Sequence, residues 1–243
     1  KYIDMIKENE ILIDTTGEKV GQINGLCVME MDDYTFGMPT RITASTYTGK
    51  AGIVNIEKEA EMSGSIHDKG VQVYLGGKYA QKFPLTLSCR VCFEQSYNGV
   101  DGDSATSTET YCILSSLSGL PIRQDLAVTG SMNQRGEIQP IGGVTYKIEG
   151  FYNICKNKGL TGTQGVIIPR SNIKDMVLSD EVVESVKNKQ FHIYAIDNVD
   201  DGIELLMGQK AGKALASGGF SKDSVHSKVY NKLKNYYKIS VQE

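Results

Sequence analysis

Gly142-Gly-Val-Thr-Tyr-Lys-Ile-Glu-Gly-Phe-Tyr-Asn-Ile-Cys155 is the stretch on which the reading of this fold turns. Val144, Lys147, Ile148, Phe151 and Cys155 fall at i, i+3, i+4, i+7 and i+11, which is one face of a helix. The glycine pair opens that helix, and Gly159 closes it. Beyond it, Gly165-Val-Ile-Ile-Pro169 is a short unbroken apolar run, as expected of a buried strand. Before it lie a short strand at Leu126 to Thr129 and another at Gly136 to Ile141. His192 to Ile196 reads as a further strand and Val199 to Met207 as a helix. Strands alternating with helices give an α/β (mixed α+β) domain.

The chain before this stretch is richer in strands. Ile11 to Ile13, Val20 to Met31, Arg41 to Tyr47 and Gly52 to Ile56 carry strand patterns. Turn-like clusters separate them at Thr15-Thr-Gly17, Asp32-Asp33, Gly37-Met-Pro39 and Thr48-Gly-Lys50. Ser65 to Lys82 reads as helical. In Leu85 to Glu94 the residues alternate, which puts Cys89 on an apolar face with Val91 and Phe93, and Cys92 on the other face with Arg90. Ser104 to Ser118 reads as a helix of small residues closed by Gly119-Leu-Pro121. At the far end, Gly208 to Gly219 has the composition of a linker, and Asp223 to Tyr237 reads as a terminal helix suited to docking on a neighbour.

Composition removes several function classes. Hydrophobic residues make up 40% and charged residues 23%, the balance of a soluble globular protein. The net charge of −3 gives no basic footprint for nucleic acid. No apolar run reaches the roughly 18 residues that a membrane span needs, and no signal peptide is visible. Five cysteines with scattered spacing fit a reducing compartment, so a cytoplasmic location is expected. The C-x-x-C at Cys89 splits its two thiols between opposite strand faces, which argues against a metal or redox pair. His67, His192 and His226 form no zinc pattern, and His192 lies in a strand pattern as a structural residue. No G-x-x-x-x-G-K-[ST] is present. Gly208-Gln-Lys-Ala-Gly-Lys-Ala214 only echoes it, so no phosphate-loop ATP site is expected.

Two positions stand out from a purely structural pattern. Lys147 lies on the apolar face of its helix, where full burial would make the ammonium costly and favour the neutral amine. A lysine tuned that way can serve as a general base. The spacing alone favours the plainer reading, a stem that packs while its charge escapes to water. Ser104 follows the polar turn Gly99-Val-Asp-Gly-Asp103 at the start of a helix, where free N–H groups could steady a negative charge. Its plainer reading is a helix cap, and Thr106 with Glu109 offers a rival capping box.

Taken in order, these segments resemble the Lon protease family, and its LonB-type branch (a bacterial Lon-like subgroup) most. Asp101-Gly-Asp-Ser-Ala105 looks like the family's nucleophile motif. Ala127-Val-Thr-Gly-Ser131, Gly136-Glu-Ile-Gln-Pro-Ile-Gly-Gly-Val144 and Lys147-Ile-Glu149 follow in the family's order, with 43 residues between Ser104 and Lys147. Gly165-Val-Ile-Ile-Pro169 and Asn172 match the next strand and its loop. Upstream, Gly52-Ile-Val-Asn-Ile-Glu-Lys-Glu-Ala60 and Ser65-Ile-His-Asp-Lys-Gly70 resemble the bacterial subgroup.

The resemblance implies a serine endopeptidase that cuts unfolded or misfolded proteins, with Ser104 as nucleophile, Lys147 as base and Thr129 orienting the lysine. It gives Asp101 and Asp103 a structural or gating place, and backbone amides near Ser104 the oxyanion hole. Residues 1–208 would be the protease domain and residues 209–243 a linker and helical extension. No cofactor is expected in this chain. ATP and Mg are expected for an ATPase domain elsewhere in the full-length protein, which would assemble as a homo-oligomeric ring, usually a hexamer. The missing initial Met and missing phosphate loop fit an excised domain. An alternative is a catalytically silent assembly domain of the same fold.

Overall fold

A computed structural model describes residues 1–55, 69–95 and 103–242. Along the chain come helix α1 (Tyr2–Lys7), strands β1 (Glu18–Lys19), β2 (Gln22–Met31), β3 (Tyr34–Tyr47) and β4 (Gly52–Asn55), helix α2 (Lys69–Tyr79) and strand β5 (Ser88–Glu94). A 3-10 turn (Asp103–Ala105) leads into α3 (Thr106–Ser118), followed by the short strands β6 (Ile122–Arg123), β7 (Leu126–Val128), β8 (Ser131–Met132) and β9 (Ile138–Gln139). Then come α4 (Val144–Lys158), β10 (Gly165–Pro169), a 3-10 helix (Arg170–Asp175), α5 (Asp180–Lys187), β11 (His192–Ile196), α6 (Val199–Met207) and α7 (Val225–Ser240).

Among the described residues, one sheet runs in the order β11-β10-β7-β2-β3-β5-β4. Its first half, through β2, is parallel; β2 with β3 and β3 with β5 are antiparallel. Helices cover both faces. On one face α2, α3, α6 and α7 build a core around Leu75, Ile113, Leu114, Ile203 and Val229. On the other, α4 and α5 pack Ile148, Phe151 and Val182 against Leu26, Ala127, Val166 and Ile168. All five residues of β10 are buried, with Ile167 in the first core and Val166 and Ile168 in the second. That two-sided burial is why the strand reads as an unbroken apolar run. The architecture is the mixed α/β fold expected from the sequence.

Several elements differ from their sequence patterns. Ile11 to Ile13 is not a strand: Ile11 and Ile13 instead pack with Ile6 and Ile154 in a small separate cluster beneath α1. Gly37-Met-Pro39 is not a turn but lies inside β3, paired with Val28, Cys27 and Leu26. Among the described residues the β5 ladder starts only at Arg41, so none of them needs the missing N–H of Pro39. The Asp32-Asp33 turn is as read, with Asp32 at φ +48°. Cys89, Val91 and Phe93 are buried while Arg90 is exposed, as the alternation in β5 requires. Of the helical stretch from Ser65, Lys69–Tyr79 is helix and residues 65–68 lie outside the described residues, as do most of the upstream motifs.

The segment after α6, read from composition as a linker, folds back on the domain. Val225 N–H donates to Lys210 O at 3.0 Å, and His226 N–H donates to Ala211 O at 2.9 Å. Helix α7 docks on its own chain, burying Val225, Val229 and Leu233 in the same core as α3, with His226 buried beside them. Leu233→Ala should therefore destabilise the whole domain by about 2–5 kcal/mol. Thermal melting checks this; a separate early transition with the main one unmoved would contradict it.

His226 keys α7 in place. Its Nε2 lies 2.7 Å from Asp200 Oδ1 and its Nδ1 lies 2.6 Å from the Tyr79 hydroxyl, joining α7, α6 and α2. Partial burial works against the Asp200 carboxylate, but the His226 hydrogen bond and the charges of His226 and Lys78 outweigh it and hold its pKa below the usual value. A depressed carboxyl stabilises the fold above the unfolded pKa of about 3.9 and withdraws that support as pH falls through the lower folded value. Asp200→Asn should thus melt earlier than wild type at pH 7 and lose less stability on acidification. Melts at stepwise lower pH test this; parallel acid losses in both proteins would refute it.

Candidate active site

Ser104 stands in the 3-10 turn before α3 and is 7% exposed. Ala105 occupies the N-cap position, so neither Ser104 nor Thr106 is the cap that their spacing suggested. The helix start is fastened to the end of β7 instead. Gly130 N–H donates to Ser104 O at 3.0 Å, while Ser107 Oγ–H donates to Gly130 O at 2.7 Å and Thr108 Oγ1–H donates to Val128 O at 3.3 Å. Small hydroxyl residues fit here because the helix must lie close to the strand end. The composition of α3 thus reflects its docking as much as its helicity.

Thr129, buried directly after β7, precedes Gly130. Its N–H donates to Ile167 O of β10 at 3.1 Å, which fixes its backbone. Its Oγ1 accepts a hydrogen bond from Lys147 Nζ at 3.2 Å. Lys147 is only 4% exposed and shares the buried face of α4 with Val144, Ile148, Phe151 and Cys155. The snorkelling that its spacing favoured is therefore corrected: the stem runs inward and the amine ends on a hydroxyl. The structure thus brings Ser104, Thr129 and Lys147 to one end of β7. Asp101 lies outside the described residues, and of Asp103 only the backbone, at the start of the turn, is described.

Other residues shape this site that the sequence did not single out. Helix α4 approaches β3 so closely that a Cβ on Gly37 would sit 1.9 Å from Tyr146 O and 2.8 Å from Lys147 N. A Cβ on Gly150 would sit 2.1 Å from Gly37 O. Cys27, on β2, lies within electrostatic reach of Lys147; burial raises its thiol pKa, against the lowering effects of Thr40 and the lysine charge. Glycine was the available signal for the first pair, but glycine alone does not say which backbone comes near. His192 Nε2 sits 2.7 Å from Gly162 O, in keeping with a structural part.

Residues 88–209 match the Lon protease (S16) C-terminal proteolytic domain. The chain belongs to the Lon protease family. It is 42% identical over 209 residues to a Lon protease homolog of Escherichia coli, covering 84% of this chain and 36% of that protein. A homolog from Haemophilus influenzae is 42% identical over 214 residues, covering 86% and 35%. An archaeal Lon protease of Thermococcus kodakarensis is 33% identical over 215 residues, covering 85% and 30%. The chain thus spans about a third of the length of these curated relatives. The seven-stranded mixed sheet agrees with the Lon proteolytic domain, and membership makes proteolysis the function class. Among the described residues no helix is long and apolar enough to cross a membrane.

Proposed function

We propose that this chain is the serine endopeptidase domain of an ATP-dependent, LonB-type bacterial Lon-like protease, working through Ser104 and Lys147. The observation that carries this reading is the buried amine of Lys147, held by Thr129 one residue from the glycine that fastens Ser104. Burial opposes the ammonium form and so favours a base. Serine is a weak nucleophile until its proton is taken, and a Ser–Lys pair is a recognised way to do so without histidine.

In this scheme Lys147 Nζ takes the Ser104 hydroxyl proton as Oγ attacks the peptide carbonyl. The proton then passes to the leaving amine as the peptide bond breaks. Water, deprotonated by the same amine, releases the acyl group from Ser104. Thr129 orients the amine through its hydroxyl, and backbone amides near Ser104 serve the oxyanion. Asp101 and Asp103 take a structural or gating place, because a nearby carboxylate raises a lysine pKa and works against the base.

Residues 1–208 form the protease domain, with residues 209–243 as its extension. In the full-length protein an ATPase domain, using ATP and Mg, feeds unfolded chains into a homo-oligomeric, hexameric ring in the cytoplasm. The 243-residue chain should then cleave unstructured casein without ATP and degrade stably folded proteins poorly. ATP-stimulated proteolysis by this chain alone would overturn that division of labour.

A further inference from the structure

A single buried amide holds both polar groups of the residue that precedes the glycine pair before α4. Asn172, 1% exposed in the 3-10 helix after β10, accepts a hydrogen bond from Ile141 N–H through Oδ1 at 2.9 Å. Through Nδ2 it donates to Ile141 O at 2.8 Å and to Asp175 Oδ2 at 3.0 Å. The partners fix which end of the amide is which: the oxygen faces a donor and the nitrogen faces two acceptors. Ile141 is thereby held as a strand pair would hold it, where no strand exists.

The loop around this clamp is otherwise open, with Gln139, Pro140, Gly142 and Gly143 all exposed. Two residues after the clamp, Gly143 takes a left-handed conformation at φ +69° and begins α4. Gly143 O accepts from Lys147 N–H at 3.0 Å. A second tie joins the same parts, as Thr145 Oγ1–H donates to Asp175 O at 3.4 Å and accepts from Val177 N–H at 3.1 Å. The first turn of α4, which carries Lys147, is thus tied to the segment after β10 through both Asn172 and Thr145.

We infer that Asn172 is a positioning residue for the reaction, acting through Ile141 and Gly143 to aim the Lys147 amine at Thr129 and Ser104. This rests on the Ser104–Lys147 reading given above. Its physical basis is that a misplacement of about 1 Å in a catalytic group can cost on the order of 100-fold in rate. An amide that served stability alone would lower the melting temperature and leave the rate per folded molecule intact.

The test compares kcat, KM and their pH dependence on an unstructured fluorogenic peptide for the 243-residue chain, Asn172→Ala, Asn172→Asp and Val182→Ala. Val182→Ala removes buried volume from α5 and supplies a stability loss that leaves every hydrogen bond of the clamp in place. Asn172→Asp keeps the acceptor for Ile141 N–H, loses the donor to Ile141 O and serves where the alanine variant does not fold. The Asn172 variants should lose about 10- to 100-fold in kcat with KM within about twofold. The acid limb of the Asn172→Ala kcat profile should move to higher pH, as an amine less firmly held in its buried place meets more water. Val182→Ala should keep kcat and the limb. Asn172 variants that behave like Val182→Ala overturn the inference while leaving the dyad standing. An inactive wild-type chain, or activity retained by Ser104→Ala or Lys147→Ala, overturns the dyad reading and this inference with it.

Discussion

Ser104→Ala and Lys147→Met should each lower peptide cleavage by about 1,000-fold or more, and the double variant should be no worse than either single one. Residues that act as one unit lose the whole effect when either is removed, so non-additivity separates a dyad from two independent contributions. Lys147→Met replaces a 4%-exposed amine with an apolar side chain of similar length beside Ile148 and Phe151. It fills much the same space, so the domain should stay folded. A dead but firmly folded Lys147→Met protein would place the lysine there for chemistry rather than packing. More than about a tenth of wild-type activity in either single variant would contradict the dyad.

Gly37→Ala should be severely destabilising for a single added methyl. Its Cβ would fall 1.9 Å from Tyr146 O, and the obstructing atoms are backbone, which cannot swing aside. Gly150→Ala meets the same contact from the other side, at 2.1 Å from Gly37 O. Relief requires α4 to move off β3, which costs about 3 kcal/mol or more and displaces Lys147. For a chain of this size that is a fall of roughly 6–12 °C in Tm, with loss of activity. Gly76→Ala and Gly77→Ala in α2 are the controls, since no atom of the described residues lies within 4 Å of either added Cβ. They should be neutral or stabilising by up to about 1 kcal/mol, as expected of alanine replacing glycine in a helix. Similar melting behaviour in both pairs would show that the α4–β3 contact is looser than described.

These contrasts mark what the sequence could and could not reveal. Strand β10 was legible because burial on both faces leaves no polar residue in Val166, Ile167 or Ile168. Helix α4 was legible from its 3.6-residue period and its glycine boundaries, and α6 from its own periodicity. Local pattern failed where tertiary pairing decided the outcome. Gly37-Met-Pro39 has turn composition, yet β2 holds it extended. Ile11 and Ile13 alternate like a strand, yet they fill a gap beside Ile154.

The site was legible in part for the same reason. Helical spacing put Lys147 on an apolar face, but only the neighbouring β7 and Thr129 decide whether the amine turns inward or escapes. Ser104 looked like a cap because caps are defined by one turn of local sequence, whereas its fastening comes from Gly130 across the chain. The Asn172 clamp on Ile141 spans 31 residues and the Gly37–Gly150 contact joins β3 to α4, so no local window contains either pair.

The central claim is that the Ser104 oxygen carries the acyl group and that Lys147 puts it there. The most direct measurement is an acid-quenched single turnover with an activated peptide ester, followed by mass spectrometry of the digested protein. One acyl mass should appear on the peptide containing Ser104, and it should vanish in Lys147→Met. Acylation of any other residue, or acylation of Ser104 undiminished in Lys147→Met, would contradict the account.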